Sequence, residues 1–147
     1  MHLRQAFIVN VFNDSRSADS IVGMRAIARK GYKMILYRPV GTKELELIKK
    51  SNYSKFPPRL PEQPIFYPVM NERYAIEIAS GWNVKYNEDH RGYVTKFEMD
   101  DAYCEQFEIH QVGGEHHKEL WIPAERLEEF NEHIIGAISV IDEYSDN

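Results

Sequence analysis

At 147 residues the chain has room for one hydrophobic core and not two. Its 43% apolar and 28% charged residues exclude a disordered chain, and its single cysteine, Cys104, excludes an internal disulfide and a thiolate zinc cage. The net charge is -5, and it is unevenly spread. Residues 1–33 carry six Lys/Arg against two Asp/Glu; from Glu98 onward 14 acids face only Lys118 and Arg126. A phosphate backbone is held by Lys and Arg, so nucleic acid is not expected as a partner. The longest apolar run near the N-terminus, Ala6 to Val9, is far short of the roughly 18 residues of a membrane span. Asn10 and Asn13 interrupt that stretch and no Ala-x-Ala-like site follows, so a cytoplasmic protein is expected.

The elements read in chain order. Ala6–Phe12 is rich in β-branched and aromatic residues and predicts a strand. Ser17 caps a predicted helix to Lys30, with Ile21, Met24, Ile27 and Ala28 at helical spacing and Gly31 placed to end it. Met34–Val40 predicts a second strand, stopped by Pro39 and Gly41, followed by a short helix from Lys43 to Lys50. Residues 51–64 hold four of the seven prolines. They predict an ordered extended loop anchored by Phe56 and Leu60. Ile65–Val69 predicts a short strand.

Asn71 has the chemistry of an N-cap, and Glu72 suits the first helical turn. Ala75, Ile78, Ala79 and Trp82 then mark one face of an amphipathic helix. Residues 93–99 alternate as a strand, Asp100–Glu105 as a helical turn, and Phe107–Val112 as another strand. Gly113 and Gly114 break the chain before a strand at Glu119–Ile122. Pro123 suits the first position of a helix carrying Leu127 and Phe130, and Ile134–Tyr144 closes as a strand interrupted by Gly136. Strands and helices mix without βαβ alternation, which predicts an α+β fold with a largely antiparallel sheet.

Few motifs carry chemistry. There is no dinucleotide fingerprint, phosphate loop or nucleophile elbow. Cys104 reads as a partly buried small hydrophobe. His110, Glu115, His116, His117 and Glu119 form a dense set of potential ligands. However, adjacent histidines on a strand point to opposite faces, so no metal is expected. Glu119 is unusual beside apolar Leu120 and Trp121, because a strand disfavours Glu unless it is exposed, paired or functional. Arg38 is its mirror at the end of another apolar strand. The two form either an ion pair or the walls of a cleft in which Arg38 grips a phosphate and Glu119 stabilises developing positive charge. Tyr37, Phe66, Tyr67 and Trp82 offer aromatic surface for a planar ring, although each has a core reading as well.

One series of motifs resembles a known family. It comprises Leu36-Tyr37-Arg38-Pro39-Val40-Gly41, the run Phe56–Val69, Gly113-Gly114, Glu119-Leu120-Trp121-Ile122-Pro123-Ala124-Glu125, Phe130-Asn131 and Ile135-Gly136. It is similar to a small bacterial family labelled ADP-ribosylation/crystallin-type protein, over about residues 34–144. The layout resembles that of ADP-ribosyltransferases, which implies a split antiparallel sheet around an NAD cleft. It implies NAD-binding roles for Arg38, Tyr37 and Tyr67: Arg38 on the cofactor phosphate or ribose, and Tyr67 against nicotinamide. It implies a catalytic role for Glu119, on the ribose and an oxocarbenium-like transition state. The Ser-Thr-Ser signature of the arginine-bearing class is absent, and His117 stands two residues before Glu119. Residues 1–33 fall outside the resemblance and are expected to be an extension of a single α+β domain over 34–147. A non-catalytic module binding a protein or small molecule is the alternative reading. An ADP-ribosyl hydrolase, as the family label hints, is the third.

Overall fold

Side-chain parity on one strand organises the architecture. In β1 (Lys33–Val40), Leu36, Arg38 and Val40 point to one side and Tyr37 to the other. The computed structural model describes residues 32–146, so the predicted strand Ala6–Phe12 and helix Ser17–Lys30 lie outside the described residues. After β1 come α1 (Thr42–Lys50), β2 (Ile65–Phe66), α2 (Glu72–Glu77), a π-helical stretch (Ile78–Asn83) and α3 (Val84–Tyr86). Next are β3 (Arg91–Asp100), α4 (Asp101–Cys104), β4 (Glu108–Gln111) and β5 (Lys118–Pro123). A 3₁₀ turn (Ala124–Arg126), α5 (Leu127–Glu132) and β6 (Ile134–Ser145) end the chain's described part. No helix among the described residues is long and apolar enough to cross a membrane.

The strands form two antiparallel three-stranded sheets, ordered β1-β3-β6 and β2-β5-β4. A single residue stitches them together. Val69 bridges Tyr37 on one side and Glu119 on the other. Its N–H donates to Tyr37 O at 2.7 Å and its carbonyl accepts from Tyr37 N at 2.9 Å. Pro39 does not stop β1, which runs through it in register with Val94. Tyr37 aims its N–H at Val69, so two residues on Pro39 turns its missing N–H the same way, toward the divergence of the sheets. No β1–β3 bond is lost there, and no donor remains to continue pairing across the split. Pro123 also departs from expectation. It is the last residue of β5, paired with Ile65, and the helical turn starts after it.

One face of the sheets buries Leu36, Val40, Phe66, Tyr93, Phe97, Leu120 and Ile122 under α1, α5 and the proline loop. Phe56 of that loop is 1% exposed and packs at 5.2 Å from Phe66 and 4.8 Å from Phe97, centroid to centroid. Asn131 pins its backbone, accepting from Phe56 N at 2.9 Å and donating to Phe56 O at 3.0 Å. The loop is thus held by Phe56; Leu60, the other expected anchor, is exposed. Cys104 is fully rather than partly buried in this core.

The other face is covered by the α2–α3 segment, which buries Tyr74, Ala75, Ile78 and Ala79 against Val69 and Val94. Asn71 caps α2, its side-chain oxygen accepting from Tyr74 N at 2.8 Å. The predicted apolar stripe lies on this face, but its middle is π-helical. Gly92 of β3 passes directly beneath: a Cβ there would sit 2.4 Å from Ala79 O. On β6, Gly136 adopts φ +73° at a register shift opposite Lys96–Glu98, a bulge that only glycine enters without strain.

Candidate functional site

Register fixes which site residues meet. Tyr37, Val69, Glu119 and His110 are successive cross-strand partners, so their side chains share one face. Tyr67 and Trp121, two residues along from Val69 and Glu119, share it too; their rings lie 5.8 Å apart. Arg38 does not join them. Its guanidinium lies on the opposite face, 4.7 Å from the centre of the Phe66 ring. It is 1% exposed and clasps Glu44 in a fork, Nε to Oε2 at 2.7 Å and Nη2 to Oε1 at 3.0 Å. The expected meeting of Arg38 and Glu119 therefore does not occur, because both strands alternate and the two residues have opposite parity. Phe66 likewise belongs to the core beneath Arg38, and Trp82 packs on Tyr86 at 4.3 Å rather than beside Tyr67.

Glu119 is 2% exposed. The Tyr74 hydroxyl donates to its Oε2 at 2.6 Å, and Trp121 Nε1 donates to its Oε1 at 2.9 Å. Burial pushes the Glu119 carboxyl up to about 7, against the opposing pull of the Tyr74 and Trp121 hydrogen bonds. Burial and the same carboxylate push the Tyr74 phenol far above its ordinary range. Each carboxylate oxygen has two lone pairs and receives one donor from this pair, so each keeps acceptor capacity. The site is a fixed acceptor in an aromatic surround.

Two further neighbours, Arg59 and Tyr74, were not legible as site residues, and the sequence offers a third, His110, only as a potential metal ligand. His110 lies flat on Trp121, centroids 3.7 Å apart and planes 14° off parallel, with Nε2 at 2.9 Å from Glu108 Oε1. Arg59, from the proline loop, puts its guanidinium carbon 6.0 Å from the Tyr67 ring centre and donates through Nε to Ile65 O at 3.2 Å. Tyr74, one helical turn into α2, reaches across to Glu119. Tyr74 carries a weak signal in hindsight, since an N-cap at Asn71 fixes which way its side chain leaves the helix. The other two depend on the register of the β4–β5 hairpin and on the path of the proline loop, which composition does not specify.

The histidine pair also behaves unlike a strand. Gly114–His117 forms a turn, His117 N donating to Gly114 O at 3.0 Å. Both rings converge on Glu77: His116 Nε2 lies 2.8 Å from Oε2 and His117 Nε2 lies 2.9 Å from Oε1. The expectation that neighbouring histidines diverge fails here because a turn does not alternate its side chains. Burial would raise the Glu77 carboxyl, but the His117 and His116 hydrogen bonds prevail and hold it below its ordinary range.

No family model matches the chain, and no curated protein or solved structure matches it.

Proposed function

We propose that the chain is an NAD-binding, ADP-ribosyltransferase-like protein whose site centres on Glu119. One observation carries this reading: a buried carboxylate, held by two donors, stands at the seam of a split antiparallel sheet with Tyr37, Tyr67 and Trp121 on its face. The donor set fits the group. Glu119 retains lone pairs for a ribose hydroxyl, Tyr67 and Trp121 offer apolar rings to nicotinamide, and Arg59 brings a cation to the same face. NAD supplies an anomeric carbon with a nicotinamide leaving group. Glu119, once ionised, opposes positive charge that develops there, and Tyr74 and Trp121 keep the carboxylate from turning away. Arg38, spent on Glu44 across the sheet, is replaced in this reading by Arg59 as the phosphate partner.

The test is a thermal shift of the full chain with millimolar NAD, paired with an assay for nicotinamide release. NAD should raise the melting temperature of wild type. Glu119→Gln should keep most of that shift and lose release, and Arg59→Ala should weaken binding by about one to two decades, the worth of a charge-assisted contact. Absence of any NAD-dependent shift in wild type defeats the proposal.

A second reading rests on a separate feature. A groove of ≈ 480 Å³ runs between α1, the proline loop and α5, lined by Leu47, Phe56, Pro57, Pro58, Leu127 and Asn131. It supports a non-catalytic module that holds an apolar ligand or peptide, and it lies away from Glu119. The hydrolase reading, which calls for aspartate-bound metal, draws no comparable support.

A further inference from the structure

We propose that Glu77, His116 and His117 form a binding site for a late first-row divalent metal ion such as zinc. Their ligand atoms, two imidazole Nε2 and a carboxylate oxygen, all lie within 4.8 Å of one another. They come from two elements about 40 residues apart, the end of α2 and the turn before β5, and the fold itself brings them together. The set is two imidazoles and one carboxylate, the protein ligands of zinc sites that keep open positions for water. Imidazole nitrogen selects zinc, cobalt, nickel or copper over magnesium and calcium, which take oxygen. The remaining positions fall to water, since Glu77 is 42% exposed.

The geometry is close to what coordination needs. The two Nε2–carboxylate distances are 2.8 and 2.9 Å. Ligands about 2.1 Å from a tetrahedral ion stand roughly 3.4 Å apart, so each imidazole need open from its carboxylate oxygen by only about half an ångström, and no two of the ligand atoms lie more than 4.8 Å apart. The scaffold on both sides is anchored. Asn71 Nδ2 donates to His116 O at 2.5 Å, tying the turn to the start of α2, and the Tyr74 ring packs 4.7 Å from that of His117.

Two features oppose binding and shape its expected behaviour. Arg73 Nε lies 3.4 Å from Glu77 Oε2, but Arg73 is 74% exposed and swings away at little cost. Gly114 N donates to His117 Nδ1 at 2.7 Å, which puts the proton of the neutral ring on Nε2. A metal at Nε2 takes that place, the proton moves to Nδ1, and the Gly114 bond opens. No net proton is released from neutral rings.

The experiment titrates zinc into the full chain by calorimetry, with thermal shift alongside, and records the visible spectrum of the chain loaded with cobalt. Expected are one saturable site per chain, a raised melting temperature and cobalt bands that report nitrogen ligation. His116→Ala, His117→Ala and Glu77→Ala should each weaken binding by at least about tenfold, while His110→Ala and His133→Ala leave it unchanged. Absence of zinc binding in wild type overturns the proposal, and so does undiminished binding in any one of the three ligand variants. The cobalt spectrum of wild type reads the site even where a variant folds poorly. The outcome is independent of NAD, which is left out.

Discussion

Glu119 ties a stability prediction to a catalytic one. Burial pushes its carboxyl up to about 7 in the folded chain, from the ordinary carboxyl value of 4.5 that an unfolded chain restores. Between those values the unfolded chain has released the proton and the folded chain still holds it. Stability therefore falls as pH rises through that window and is level above it. Glu119→Gln removes this contribution: its carbonyl accepts from Trp121 and its amide faces the Tyr74 oxygen. The urea midpoint of wild type should fall relative to that of the variant as pH rises from about 4.5 to about 7, and the two should run parallel above it. Parallel pH profiles would remove Glu119 as the titrating group. Arg38 makes the opposite kind of residue. It is 1% exposed against a Glu44 that is 14% exposed, and removing one member of such a pair leaves a charge poorly solvated. Arg38→Ala should cost about 3 kcal/mol, and Arg38→Met with Glu44→Leu should recover part of it. If Arg38→Ala kept its stability and lost only NAD affinity, Arg38 would return to the cofactor. Both residues stood out in the sequence as charges on apolar strands. Their partners did not, because Tyr74 and Glu44 are chosen by parity and by helix orientation, which the strand's composition does not reveal.

At the scale of elements, the α2–α3 segment shows where periodicity reads true and where it stops. The stripe Ala75, Ile78, Ala79 and Trp82 and the cap at Asn71 sit where the pattern puts them. The π-helical widening over Ile78–Asn83 has no counterpart in the pattern. It coincides with the close pass of Gly92, where an added Cβ meets Ala79 O at 2.4 Å and Asn83 Cβ at 2.7 Å. Gly92→Ala should therefore destabilise the chain by about 1–3 kcal/mol as overpacking against backbone. Gly81 lies in the same segment with nothing within 4 Å of its added Cβ. Gly81→Ala should stabilise by about 0.5–1 kcal/mol, since it removes freedom from the unfolded chain and meets no obstacle. Denaturant titration of both variants checks the pair; equal and opposite signs from those stated would mean that the segment is packed differently.

Across the whole molecule, Val69 is the joint. Its two backbone bonds to Tyr37 are the described link between the sheets, and its register partner Glu119 carries the candidate chemistry. Val69→Pro deletes the N–H that Tyr37 O accepts and should cost about 1–3 kcal/mol. Wild type should lose far-UV ellipticity and tryptophan fluorescence in one coincident transition. Separate transitions in wild type would mean that the sheets fold independently and that Val69 joins them only loosely. By itself the sequence determined the α+β class, the strands from Met34 onward, the cap at Asn71, the ordered proline loop and the suspicion attached to Glu119, because these follow from local alternation, helical spacing and turn chemistry. Only the tertiary structure decided that the sheet splits at Pro39 and that Arg38 faces away from Glu119. It alone joined Arg59 and Trp121 on one face and set His116 and His117 on Glu77. Those outcomes depend on which distant strands pair and in what register, and a shift of one residue in register turns every side chain to the other face.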